Sequence, residues 1–131
     1  MKKIFFAICI ITLFAACTKG PGEGGRAFIK GKIFVKNYKP FPDTTLQAEY
    51  YGQDEDVFIV YGDEPGVGES VKSSYDGSFQ FIYLRKGKYK VYALSDDRAS
   101  GINSKTIEVI REVEIKKSTE TIDLGNITIV K

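Results

Sequence analysis

Tyr75-Asp76-Gly77-Ser78-Phe79-Gln80-Phe81-Ile82-Tyr83-Leu84-Arg85-Lys86-Gly87-Lys88-Tyr89-Lys90-Val91-Tyr92-Ala93 decides the fold of this 131-residue chain. Asp76-Gly77 is a hairpin-turn pair, because glycine takes the positive φ of a tight turn at no steric cost. Beyond it Phe79 and Phe81 share one parity, with Ser78 and Gln80 on the other, the period of a half-buried strand. Leu84 closes that strand and is placed to plug the end of a sandwich. Lys86-Gly87 turns the chain again, and Tyr89, Val91 and Ala93 return into the same interior.

The same period runs outward in both directions. Ala27, Ile29, Gly31, Ile33 and Val35 form one face of a strand, with Arg26, Lys30, Lys32 and Lys36 on the other. Asp56 to Tyr61 is a continuous apolar run of strand length, which predicts a central strand buried on both faces. Gly62 to Gly68 holds three glycines and Pro65 and reads as a loop, followed by a short strand from Glu69 to Ser74. Ile107, Val109, Val113 and Ile115 mark a further strand. Ile122 and Leu124 share a parity that Ile127 and Ile129 reverse, so a bulge is predicted at Gly125-Asn126. No window carries helical spacing. The pattern predicts an all-β chain: a single antiparallel β-sandwich of about seven strands over residues 26–131.

The motif D-G-x-F-x-F-x-x-L-x-x-G-x-Y-x-V-x-A, read from Asp76 to Ala93, resembles the prealbumin-like sandwiches, among them the carboxypeptidase regulatory-like and Cna B-type domains. Ile29-x-Gly31-x-Ile33 is similar to that family's opening strand, and Asp56-Val57-Phe58-Ile59 to its third. The resemblance runs from Phe28 to Val130 and implies a fold, not an activity, since this fold carries many functions. Some Cna B-type domains crosslink a first-strand lysine to a last-strand asparagine with help from a buried glutamate. Lys30 or Lys32 and Asn126 supply the ends here, but Phe81 or Ile82 stands where the resemblance puts the acid, so these lysines read as solvated.

Met1-Lys2-Lys3 followed by a thirteen-residue run, Ile4 to Ala16, apolar but for Thr12, reads as a secretory signal; the run falls short of the ~20 residues that cross a bilayer. Leu13-Phe14-Ala15-Ala16-Cys17 resembles a bacterial lipoprotein box, with Phe14 where leucine is usual. Ordinary signal peptidase prefers a small residue at that −3 position. The expected processing leaves residues 1–16 as a lipoprotein signal peptide and Cys17 as a thioether to diacylglycerol, with palmitate-type acyl chains. Two or three such chains hold a protein stably to a membrane. Cys9 departs with the signal, leaving no thiol. Residues 17–25, with five glycines or prolines in the last eight positions, read as a flexible tether. Glycine-rich tethers of this kind resemble those of Bacteroidetes lipoproteins, in which acidic residues after the cysteine direct surface exposure; Glu23 is the one acid here. The expected location is the bacterial envelope, lipid-anchored, at the outer membrane.

Composition excludes several functions. The chain has no histidine and only two cysteines, which removes the commonest general base and every zinc set built on those residues. Ser104-Lys105 is a weak nucleophile candidate, because adjacent strand residues point apart. No enzymatic activity and no cofactor are expected. Once Lys2 and Lys3 are lost, seventeen basic residues face seventeen acidic ones, so no nucleic-acid surface is expected. Eight acids and no Lys or Arg lie between Pro40 and Val71, but Asp54-Glu55-Asp56 and Asp63-Glu64 lie at opposite ends of one strand, which argues against one shared calcium site; either loop alone offers an ion carboxylates, backbone carbonyls and water, but the expected state is a solvated acidic loop and no metal site. Among the eight tyrosines, Tyr38, Tyr50 and Tyr51 near loops are the candidates for stacking on sugar rings, with Tyr92 on an outward face. Asp43-Thr44-Thr45 resembles an O-glycosylation acceptor of Bacteroidetes. The expected function is a monomeric, non-catalytic, lipid-anchored envelope module that binds an envelope protein or serves as a structural accessory. The alternative is a carbohydrate-binding lipoprotein of a glycan-uptake system.

Overall fold

A computed structural model describes residues 19–40, 42–99 and 105–131. Alternation gives eight strands: β1 (Glu23–Tyr38), β2 (Leu46–Tyr51), β3 (Asp56–Tyr61), β4 (Glu69–Lys72), β5 (Ser78–Leu84), β6 (Gly87–Asp96), β7 (Thr106–Ile115) and β8 (Thr121–Val130). The described residues are all-β, as their period-two pattern requires, and form two sheets packed face to face. The strand missing from the sequence reading is β2, every residue of which is exposed, so no alternation marks it.

In the first sheet β1 is the axis. One edge of β1 pairs first with β5 and then with β2, and the other edge pairs with β8. Ile33 makes the hand-over: its N–H donates to the Gly77 carbonyl at 2.8 Å, and its carbonyl accepts from Gly52 N–H at 2.9 Å. The second sheet runs β4-β3-β6-β7, antiparallel throughout. One pairing departs from the antiparallel expectation: β8 lies parallel to β1, from Phe28 opposite Thr121 to Lys36 opposite Val130. The cause is the crossover. β7 ends at Ile115, opposite Gly87. The chain then changes sheets at the end where β1 begins, so β8 must run the way β1 runs.

The core is the inward parity: Ala27, Ile29, Ile33 and Val35 of β1, Val57 and Ile59 of β3, Phe79, Phe81 and Leu84 of β5, Tyr89, Val91 and Ala93 of β6, with Ile115, Ile127 and Ile129. The Asp76-Gly77 turn closes no hairpin, because it carries the chain from β4 in the second sheet to β5 in the first; Gly77 makes that turn at φ 80°, and a β-carbon there would stand 2.6 Å from the Ile33 carbonyl oxygen, so glycine is required twice over. Tyr83, at φ 57°, makes a bulge in β5 that brings Leu84 inward. The slip predicted in β8 is present, the register jumping from Asp123 to Asn126 while β1 advances from Lys30 to Lys32. β3 corrects the expectation of burial on both faces. Val57 and Ile59 are buried, whereas Phe58 and Val60 are half-buried on an outer face that no other layer covers.

The N-terminal stretch is also ordered further than its composition suggests. β1 begins at Glu23, inside the segment read as a tether, and Gly22 is buried. The loops therefore fall at two ends. The near end holds residues 20–22, the β3–β4 loop, the Arg85-Lys86 turn and the β7–β8 connection. The far end holds the β1–β2 loop, the β6–β7 connection and Lys131.

Candidate functional site

A groove of about 480 Å³ opens at the far end, where β1, β8, β6 and β7 leave the core. Tyr38, the last residue of β1, stands on one side of it, and Asp96, the last residue of β6, stands on the other with Asp97 and Arg98 after it. Ile107 and Val109 of β7 and Val130 of β8 give it an apolar floor, with Thr44 and Thr128 adding hydroxyls.

Arg98 organises the rim. Its guanidinium lies 5.2 Å from the centre of the Tyr38 ring, a cation–π arrangement. Nη2 donates to the Lys39 carbonyl at 2.7 Å and to the Asp43 carbonyl at 3.1 Å, which ties the β1–β2 loop to β6. The loop is held from within as well. Asp43 Oδ1 accepts from Thr45 Oγ1 at 2.6 Å and from Thr45 N–H at 2.9 Å. Those two bonds, with Lys39 and Arg98 nearby, hold the Asp43 carboxyl below the usual carboxylate range. Opposite, Lys105 Nζ lies 3.6 Å from Asp97, whose Oδ1 also accepts from Ala99 N–H at 3.2 Å. Buried Ser95 accepts from Val130 N–H at 2.8 Å and fixes β8 beside β6. The groove joins an aromatic ring and an aliphatic floor to a rim of carboxylates, hydroxyls and a guanidinium. That mixture suits a ligand with apolar CH faces and many hydroxyls.

Of the sequence candidates, the structure brings Tyr38 to the groove and leaves Tyr50 and Tyr51 outside it. These two lie within β2, not in a loop, and as strand neighbours they face opposite sides. Tyr51 shares the outer face with Phe34, ring centres 5.4 Å apart, and Lys32 Nζ sits 4.9 Å from its ring centre. Tyr50 is level with Val35. Their exposures are nearly equal, 42% and 43%, but they make no common platform. Cys17 and Ser104 lie outside the described residues. Arg98, Asp96 and Asp97 were missed, although the Asp-Asp-Arg run closing β6 is visible in the sequence. A second aromatic surface does include Tyr92: it stacks on Phe58 at 5.0 Å and 23° on the outer face of the second sheet.

Two other candidates resolve into ordinary surface chemistry. Lys32 is level with Asn126 on β8, but both are on the solvent face, and the nearest acid to Lys32 Nζ is exposed Asp76 at 3.9 Å. The Ser78 hydroxyl and N–H hold that carboxyl below its usual range, so it stays ionised. Three acids of the acidic segment pair with lysines distant in sequence: Glu49 with Lys36, Asp56 with Lys72, and Glu55 with Lys131. Among the described residues no three His, Cys, Asp or Glu side chains gather as a metal site would need.

No family model matches the chain, and no curated protein is similar to it. Solved structures are, among them a protein from Pseudomonas aeruginosa provisionally described as carbohydrate-binding, 14% identical, with a TM-score of 0.46 over 83% of this chain and 90% of that one. Likeness at that distance is one of outline and carries no function across.

Proposed function

We propose that the chain is a non-catalytic binding module, a prealbumin-like sandwich held to a bacterial envelope membrane by acyl chains on Cys17, and that the far-end groove takes a carbohydrate. The observation that carries the ligand class is the meeting of the Tyr38 ring, Arg98 and two aspartates over the Ile107–Val109 floor. A sugar ring lays its CH face on the aromatic and aliphatic surface, and its hydroxyls bond to the carboxylates, Arg98 and Thr128. The Leu13-Phe14-Ala15-Ala16-Cys17 box supports the anchor, and the glycine-rich residues after it support an outer-membrane location of the Bacteroidetes type.

An array of bacterial and plant oligosaccharides tests the ligand class. Saturable binding is expected, weakened at least about tenfold by Tyr38→Ala or Asp96→Asn and left unchanged by Tyr50→Ala and Tyr51→Ala. Absence of saturable binding, or binding insensitive to Tyr38 and Asp96, overturns the groove as its site. A second reading rests on the outer face of the second sheet, where Leu94 (43% exposed) and Ile110 (44%) flank the Phe58–Tyr92 pair. An apolar face of that kind suits an envelope protein. Co-purification lost on Ile110→Asp, with glycan binding absent, favours that partner.

A further inference from the structure

One side chain holds the N-terminal stretch in place. Arg85, in the β5–β6 turn, donates from Nε to the Gly20 carbonyl at 2.7 Å and from Nη1 to the Glu23 carbonyl, with Nη2 3.5 Å from the Pro21 carbonyl. Its own backbone N–H donates to the Gly22 carbonyl at 2.9 Å. Gly22 N–H donates to the Tyr89 hydroxyl at 2.9 Å, and that hydroxyl donates to the Arg85 carbonyl at 2.6 Å. Pro21 closes the arrangement against the β5–β6 turn: a β-carbon on Gly87 would stand 2.3 Å from Pro21 Cγ. A planar guanidinium presents its donors in a fixed fork, so three carbonyls within four residues are held in one geometry.

The reach of the remaining chain follows from its length. Cys17 precedes Gly20 by three residues, and an extended chain covers ~3.3–3.6 Å per residue, so its Cα lies no more than ~11 Å from the clamped carbonyl. A free nine-residue linker would instead spread over roughly 15–18 Å and let the sandwich tumble. At the other extreme, β1 bulges so that Glu23 and Ala27 both lie opposite Leu84, and its regular advance from Ala27 to Tyr38, at ~3.3 Å per residue, puts Tyr38 up to ~36 Å from the clamp.

We infer that residues 20–24 are an orienting strap: clamped by Arg85, they set the near end of the sandwich on a phospholipid headgroup layer and turn the Tyr38–Arg98 groove away from it. This rests on the reading that Cys17 is acylated. The occupant of the near end is a zwitterionic lipid surface. Exposed Lys86 and Lys88 stand at that end with exposed Asp63 and Glu64, a mixed set without a single sign. Contact is therefore enforced by the short link, not by net attraction, and salt leaves it intact.

The test uses the full chain, made in cells that acylate lipoproteins, with Cys9→Ser and one reporter cysteine, Gly66→Cys in the β3–β4 loop or Pro42→Cys in the β1–β2 loop. Each is labelled with a fluorophore and placed in phosphatidylcholine vesicles containing spin-labelled lipid, and the mass of the N-terminal peptide is read on the same sample. Quenching at position 66 is expected to exceed that at position 42 by about fivefold or more, at low and high salt alike. Twelve Gly-Ser residues inserted after Thr18 leave the fold untouched and are expected to abolish the difference, and Arg85→Ala to reduce it. Equal quenching in acylated protein overturns the strap, as does a difference that survives the insertion. An unmodified Cys17 overturns the anchoring reading and, with it, the orientation, so the two failures are told apart by the mass.

Discussion

Tyr61 shows how a single side chain can be right for packing and wrong for polarity. Its ring meets Tyr89 edge-on at 5.9 Å and covers Gly68, where a β-carbon would stand 2.3 Å away. Among the described residues its buried hydroxyl makes no hydrogen bond of ordinary geometry, the Glu23 carboxyl beside it being at best a weak acceptor. Burial, then the charges of Glu23 and Glu69, push its pKa up to about 12, so it stays protonated. A buried hydroxyl left unpaired costs roughly 1–3 kcal/mol. Tyr61→Phe keeps the ring and drops the oxygen, and is expected to raise stability in urea unfolding by about 1 kcal/mol. A loss of stability instead would show that the hydroxyl has found a partner. Glu69 beside it has a pKa raised by burial and then by Glu23. A carboxyl whose folded pKa lies above its unfolded one favours folding while protonated in both states, and that favour is lost as pH rises through the folded value. Glu69→Gln is therefore expected to stabilise the protein at pH 7 and to make little difference at pH 3, measured by urea midpoints at both. The same gain at both pH values would rule out ionisation as the cause.

At the scale of elements, β5 and β6, which the Arg85-Lys86 turn joins across the two sheets, carry the core. Phe79 and Phe81 are 4% and 0% exposed and meet edge-on at 6.1 Å. Replacing either with alanine should cost about 3–5 kcal/mol, the usual penalty for emptying a buried ring. Unfolding that shifts by less than ~1 kcal/mol at both positions would mean that these rings do not fill the interior. β1, β5 and β6 were legible because each packs one face on the core and leaves the other to water, which writes period two into the sequence. β2 was not. Leu-Gln-Ala-Glu-Tyr-Tyr is wholly exposed and held by backbone bonds to β1, so packing imposes no pattern on its side chains. β3 misled for the opposite reason: Phe58 and Val60 are apolar on an uncovered face, and an apolar run looks the same whether covered or not. The groove was half legible. Tyr38 stood out as an aromatic at a strand end, but Arg98, Ile107 and Thr128 come from distant positions that only the parallel return of β8 and the β6–β7 pairing bring beside it.

For the whole molecule, anchoring and charge combine into one outcome. On the proposed lipoprotein processing, loss of residues 1–16 leaves equal numbers of acidic and basic residues, so net electrostatic adhesion to an anionic membrane would be absent and salt would have nothing to screen. Acylated protein is then expected to stay with membranes through high-salt and carbonate washes and to partition into detergent, because two or three acyl chains at roughly 0.8 kcal/mol per buried methylene dominate its binding. Cys17→Ser removes the acceptor sulfur. The lipoprotein peptidase cleaves only after acylation, and Phe14 at −3 is a poor fit for the ordinary peptidase, so no second route releases the chain. The variant should accumulate as an uncleaved precursor held by Ile4 to Ala16, heavier than the mature protein by its whole signal, and should remain membrane-bound for a different reason. Immunoblotting and intact mass of the two membrane fractions separate the cases. A soluble, cleaved Cys17→Ser product, starting at or near residue 17, would show that the signal is processed without lipid and that the sandwich is released from the membrane.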